Sequence, residues 1–217
     1  MADLDPDRLL ALSYAPTRHR DAVGALWRLD AALGAVLAGR REPMLSRIKL
    51  VWWRDALEAL DDRPAPAEPV LQALAAAVLP RGVAGSELAA MEEAWGALLS
   101  PEPLTEADLD AYGAGRGGRL FRLSARLLGA EHPGVEAAGR AWALADLARH
   151  SNAVDADAAL AALRRIEPTP RLPAALRPLG MLAALARRDA EPGRPRWEPQ
   201  GSPGRMWRML RCRLTGL

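Results

Sequence analysis

The sequence predicts an all-α protein, on three observations. Alanine and leucine dominate and β-branched residues are sparse, which favours helix because Ala and Leu carry the lowest helical cost. Proline and glycine cut the chain into blocks of helical length. Within those blocks apolar residues recur at helical spacing, and no stretch alternates as a half-buried strand would.

The elements follow in chain order. Asp3 to Tyr14 reads as a short first helix. Pro16-Thr17 opens a long one reaching about Gly39, with Val23, Leu26, Trp27, Leu33 and Leu37 on one face. Glu42-Pro43 opens the next, which ends near Asp61-Asp62. There the apolar face is read as Met44, Leu45, Ile48, Val51, Trp52 and Ala56, opposite Arg47, Lys49, Arg54 and Glu58, with Trp53 at the margin. Three prolines between Arg63 and Pro69 make a loop. Helical patterns continue at about 69–79, 84–99, 105–128, 134–153, 155–166 and 173–190. Residues 191–204 are rich in Pro and Gly and read as a surface strap. A last helix covers about 205–214, within a basic amphipathic tail, 205–217. No repeat or composition shift divides the chain, so 1–217 is expected to be a single domain.

The 217 residues suffice for a substantial core. The formal net charge is only +2, and no basic stripe is interleaved with stacking aromatics, so nothing points to nucleic acid. Cys212 is the only cysteine, which excludes an intramolecular disulfide. The acidic N-terminus does not read as a signal peptide, and no window reaches the ~18 apolar residues of a membrane helix. A cytoplasmic protein without a transmembrane segment is expected.

The most specific text is Glu42-Pro-Met-Leu-Ser-Arg-Ile-Lys-Leu-Val-Trp-Trp-Arg-Asp-Ala-Leu57. It resembles a segment of the squalene/phytoene synthase family, in particular the family's divergent bacterial branch. Tyr14-Ala-Pro through Ala25-Leu-Trp-Arg-Leu-Asp30 resembles the family's first long helix. Tyr112 through Gly129, with Gly117-Gly118, resembles its middle helix, and Gly139 through Arg149 the helix of its second acidic motif. The resemblance spans roughly residues 9 to 187. It implies the class I isoprenoid synthase-like bundle, with a central cavity. It also implies head-to-head joining of two prenyl diphosphates. Mg²⁺ held by carboxylates of two acidic motifs on facing helices then neutralises the leaving pyrophosphate.

The carboxylates do not fit that pattern. Asp21 and Asp30 are nine residues apart and nine steps of ~100° put them on opposite faces. Gly34 stands four residues beyond Asp30, and a register slid forward meets Gly34, Ala35 and Ala38. On the other helix Asp146 is followed four residues on by His150, where an aspartate is expected. Asp155 and Asp157 read as caps of the next helix, and Asp61-Asp62 as a helix terminator. A noncatalytic protein is therefore expected, a pseudoenzyme acting as scaffold, assembly protein or isoprenoid/lipid binder. No cofactor is expected. One divergent branch of the family includes a mitochondrial factor that assembles respiratory complex I, which implies a membrane-associated partner and a peripheral position at the inner membrane. The alternative is an active prenyl transferase, with Mg²⁺ as its cofactor and acids drawn from elsewhere, such as Glu92, Glu93 or Asp108.

Several residues are candidates for a site. Asp30 falls inside an apolar stripe, where a carboxylate is costly unless paired. It is a remnant ligand in a cavity, a paired structural acid or a partly solvated one. Asp146 and His150, with i,i+4 spacing, could share one divalent ion or lie on a helix surface beside Arg149. Arg18, His19 and Arg20, and Arg40-Arg41, could hold a diphosphate or simply end a helix. Trp53 could line a pocket or fill the core. In the tail, Met206, Trp207 and Leu210 form one face flanked by Arg205, Arg208 and Arg211. That helix could meet a membrane or partner, or dock on the bundle.

Overall fold

The computed structural model describes residues 3–38, 42–99, 103–168, 170–193 and 197–216. Among these the structure is all-helical, with twelve α-helices and no strand. The helices are α1 (Pro6–Ser13), α2 (Thr17–Leu37), α3 (Pro43–Glu58), α4 (Pro69–Ala77), α5 (Gly85–Ala89) and α6 (Glu92–Gly96). They continue as α7 (Glu106–Tyr112), α8 (Arg119–Leu127), α9 (Val135–His150), α10 (Ala153–Arg165), α11 (Arg177–Asp189) and α12 (Pro203–Thr215).

Their ends are chemically marked. Asp5 caps α1 by accepting the Arg8 backbone N–H at 3.0 Å, and Pro6, Pro43, Pro69 and Pro203 stand at first helical positions, where a missing N–H costs nothing. Thr105 and Asp108 form a reciprocal capping box on α7. Asp61 is more than a terminator. Its carboxylate accepts the Gly85 and Ser86 N–H groups, at 2.5 and 3.0 Å, and so caps the remote α5. The cap of α10 is Asn152, not Asp155 or Asp157. Asp155 is buried one turn in and accepts the Leu104 N–H at 2.9 Å. The single helix expected at 84–99 is two short ones, α5 and α6, broken at Ala90-Met91.

Helices α7 and α8 are continuous through a π-helical segment, Gly113–Gly118, of sequence GAGRGG. This segment packs closely on α9. A Cβ on Gly117 would lie 2.1 Å from the Gly139 carbonyl oxygen, and one on Gly139 would lie 2.0 Å from that of Gly117. Only paired glycines allow this backbone approach. On its other side α8 packs against α2, where the Trp27 indole N–H donates to the Ser124 hydroxyl at 3.0 Å. The α7–α8 helix thus joins α2 to α9.

The face of α3 departs from the expected one. Its buried residues are Ser46, Leu50, Trp53 and Leu57, at a spacing of four, three and four. Trp53 is the core residue, 8% exposed, whereas Trp52 is 49% exposed. Met44, Leu45 and Ile48 are exposed too. Two apolar faces are legible on this helix, and the bundle takes the narrower.

Candidate functional site

A cavity of about 320 Å³ opens between α2, α6, the α7–α8 helix and α9. One wall is apolar, made by Ala31, Gly34, Ala35, Leu37, Leu98 and Leu147. The other end holds Asp5, Arg8, Asp30, Tyr112, Arg116 and Asp146.

Arg116 organises that end. It projects from the π-helical segment and is 1% exposed. Its Nε donates to Asp30 Oδ1 at 2.8 Å and one terminal nitrogen to Asp30 Oδ2 at 2.8 Å, a bidentate pair. The other terminal nitrogen donates to Asp146 Oδ2 at 2.6 Å and to the Tyr112 hydroxyl. The guanidinium lies between two indoles, 4.3 Å from the Trp95 ring centroid and 4.6 Å from that of Trp142. Arg8 adds a second cation, donating to Asp30 Oδ2 at 2.9 Å and to Asp5 Oδ2 at 2.6 Å. Asp30 on α2 and Asp146 on α9 therefore meet across one guanidinium.

The electrostatics follow. Burial alone would raise the Asp146 pKa, but Arg116, Arg8 and His150 together outweigh it, and the carboxyl is lowered to about 2. Burial pulls the Arg116 pKa down, and Asp30, Tyr112 and Asp146 more than reverse it, so the guanidinium stays charged. Burial pushes the Tyr112 phenol up.

The residues do not fit the Mg²⁺ cluster that the family's chemistry uses. Both oxygens of Asp30 are engaged by guanidinium donors, and a cation already fills the space between the two carboxylates. A second carboxylate on the same face of α2 would stand four residues on, at Gly34. A Cβ there would meet the Trp95 ring at 2.8 Å, so an indole occupies that place. Among the described residues no group of three or more His, Cys, Asp or Glu side chains is arranged to hold a metal.

Asp30, Asp146 and His150 line this cavity. His150 is exposed and its Nδ1 sits 2.8 Å from the Asp146 backbone oxygen and 3.5 Å from Asp146 Oδ1. Three other expected residues are elsewhere. Arg18 is exposed at the start of α2, its Nε on the His19 ring at 2.8 Å. Trp53 is core. Arg149 turns away, bonding the Glu198 carbonyl and Asp189, with its guanidinium 5.0 Å from the Trp197 ring centroid. Nor do Glu92, Glu93 or Asp108 reach the cavity: none lines it. Arg40 and Arg41 lie outside the described residues.

The tail helix α12 docks on α11 and α1. Arg205, expected on an outer face, is buried and joins Asp7 and Asp189, at 2.8 and 2.6 Å. Arg208 is half-buried, while Arg211, Met206 and Trp207 are exposed.

Sequence reasoning missed Arg116, Arg8, Tyr112 and Trp95. One signal was available. An arginine set in the glycine run GAGRGG, four residues after Tyr112, is a charged group where backbones come closest.

A family model for squalene/phytoene synthase matches residues 1–153. The chain belongs to the squalene/phytoene synthase family. No curated protein and no solved structure matches it. The matched region contains α1 to α9, hence Asp30, Arg116 and Asp146 together. As a squalene/phytoene synthase family member, the chain has the all-helical architecture expected of it. Among the described residues no helix is long and apolar enough to cross a membrane.

Proposed function

We propose that this chain is a noncatalytic squalene/phytoene synthase-like protein that binds a single isoprenoid or other lipid. The observation carrying this reading is the Arg116 guanidinium between Asp30 and Asp146. A guanidinium neutralises the facing carboxylates without offering the open coordination sites that a leaving pyrophosphate needs. Removing it to admit a metal would leave a buried cavity rebuilt from within.

The remaining cavity suits a neutral ligand better than a diphosphate. Its lining carries four carboxylates, Asp3, Asp5, Asp30 and Asp146, against two guanidiniums. Both guanidiniums are already spent in ion pairs. A diphosphate would enter an uncompensated negative field. The volume is at the low end of the ~300–1,000 Å³ that single small molecules occupy, which favours one apolar chain over two. A scaffold or assembly role rests on a different observation, the exposed Met206, Trp207 and Leu214 of α12, which suit a membrane-associated partner.

The test is pyrophosphate release from farnesyl and geranylgeranyl diphosphate, with and without Mg²⁺, beside binding of farnesol and farnesyl diphosphate. The expected result is no release, metal-independent binding of the alcohol and weaker binding of the diphosphate. Mg²⁺-dependent release that Asp30→Ala abolishes would make the protein a prenyl transferase with Mg²⁺ as its cofactor.

A further inference from the structure

Helix α3 turns its most apolar surface away from the bundle. Met44, Leu45, Ile48 and Trp52 fall within a sector of roughly 100° on the helix, and Met44 and Ile48 are 71% and 58% exposed. The buried residues of α3 occupy the opposite sector. So many large apolar side chains on one outward face of one helix are more than the scattered exposure of ordinary surfaces.

The charges that α3 itself places along this stripe have one sign over most of its length, with Glu92 of α6 near enough to interact with Arg47 and Arg54. Arg47 and Lys49 stand at its two margins, and no carboxylate occurs from Pro43 to Arg54. Asp55 enters only at the C-terminal end, where Arg54 pairs with it at 3.3 Å. An apolar face bordered by cations on both sides, with a tryptophan among its large residues, is the pattern of a helix that lies in a membrane interface. The Lys49 and Arg47 stems can extend along the apolar surface while their heads stay with the headgroups. A second copy of this chain fits the stripe poorly. A two-fold contact would set Arg47 and Lys49 against their own equivalents or each other.

The Ser46 hydroxyl donates to the Val36 carbonyl at 3.3 Å, fastening the buried side of α3 to the last turn of α2, so the stripe on the opposite side faces away from the bundle.

We infer that the α3 stripe is a docking face for an anionic lipid bilayer. This does not rest on the cavity being noncatalytic, and it is separate from any contact that α12 makes.

The full chain is sedimented with vesicles of phosphatidylcholine, with and without phosphatidylglycerol. Binding is expected to the anionic vesicles and to weaken as salt rises. Ile48→Ser with Trp52→Ser is expected to weaken it by about ten-fold or more, because two large apolar side chains leave the lipid. Arg47→Gln with Lys49→Gln weakens it less and removes most of the salt dependence. These positions are exposed, so helical content and thermal midpoint should be unchanged. The charge pair tests the proposal independently should the apolar pair misfold. Trp207→Ser reports any share of α12. No binding to anionic vesicles, or binding that both α3 variants leave intact, overturns the inference. A wild-type dimer in solution that Ile48→Ser with Trp52→Ser dissolves overturns it in favour of a second copy as the occupant.

Discussion

Two buried arginines use one device for different ends. Arg116 joins Asp30 of α2 to Asp146 of α9, and Arg205 joins Asp7 of α1 to Asp189 of α11. Each cation satisfies carboxylates from two helices that are far apart in sequence. Around Arg205 the carboxylates have further donors: Asp7 Oδ1 also accepts the Gly201 N–H at 2.9 Å, and Asp189 also pairs with Arg149 at 3.2 Å. That cluster staples the tail helix to the bundle. Around Arg116 the cluster borders a cavity and has two indoles against its guanidinium. The same chemistry fastens a helix in one place and lines a cavity in the other.

Breaking the two clusters should separate these roles. Arg116→Ala leaves Asp30 fully buried with only Arg8, and is expected to cost about 3–5 kcal/mol in urea unfolding, as for a buried pair losing one partner. Arg205→Ala should cost less, on the order of 2–3 kcal/mol, because Asp7 and Asp189 keep other donors. It should also speed proteolytic release of α12 with little effect on the cavity. Equal losses in both variants, with the tail still resistant to protease, would break the comparison.

Acid sharpens it. With its pKa lowered to about 2 against about 3.9 in an unfolded chain, Asp146 stabilises the fold fully above about pH 4, and this contribution is lost as pH falls towards 2. Asp146→Asn should lower stability at pH 7 by about 2 kcal/mol and flatten that acid limb. An unchanged limb would mean that the pair with Arg116 does not form in solution.

The adjacent tryptophans give the widest ratio and the smallest single effect. Trp53→Ala should cost about 3–5 kcal/mol as a large core truncation. Trp52→Ser should change stability by about 0.5 kcal/mol or less, as an exposed site, while impairing vesicle binding. Comparable losses at both positions would return Trp52 to the core.

Much of the fold was legible because helix formation is local. Pro16-Thr17, Glu42-Pro43 and the prolines up to Pro69 are read from neighbours in sequence, and they bound real helices. The α3 face was misread because periodicity reports which residues can share a face, not which face a partner helix covers. Trp52 and Trp53 are equally apolar, and only packing against α2, α5 and α6 distinguishes them. Arg205 was misread for the same reason: an arginine among apolar residues looks like a margin until a buried carboxylate from α1 is placed beside it.

The sequence by itself determined the helical class, most helix boundaries to within a few residues though not the break between α5 and α6, and the lack of paired carboxylates on α2 and α9. Those properties depend on composition and on spacing within one segment. The tertiary structure alone decided that Asp30 is satisfied by Arg116, 86 residues away. It also put Trp95 where a second carboxylate would stand and left the broader apolar face of α3 uncovered. Each is a contact between segments, set by which helices can approach. The approach of the π-helical segment to α9 depends on Gly117 meeting Gly139, because a Cβ on either would collide with the carbonyl oxygen of the other.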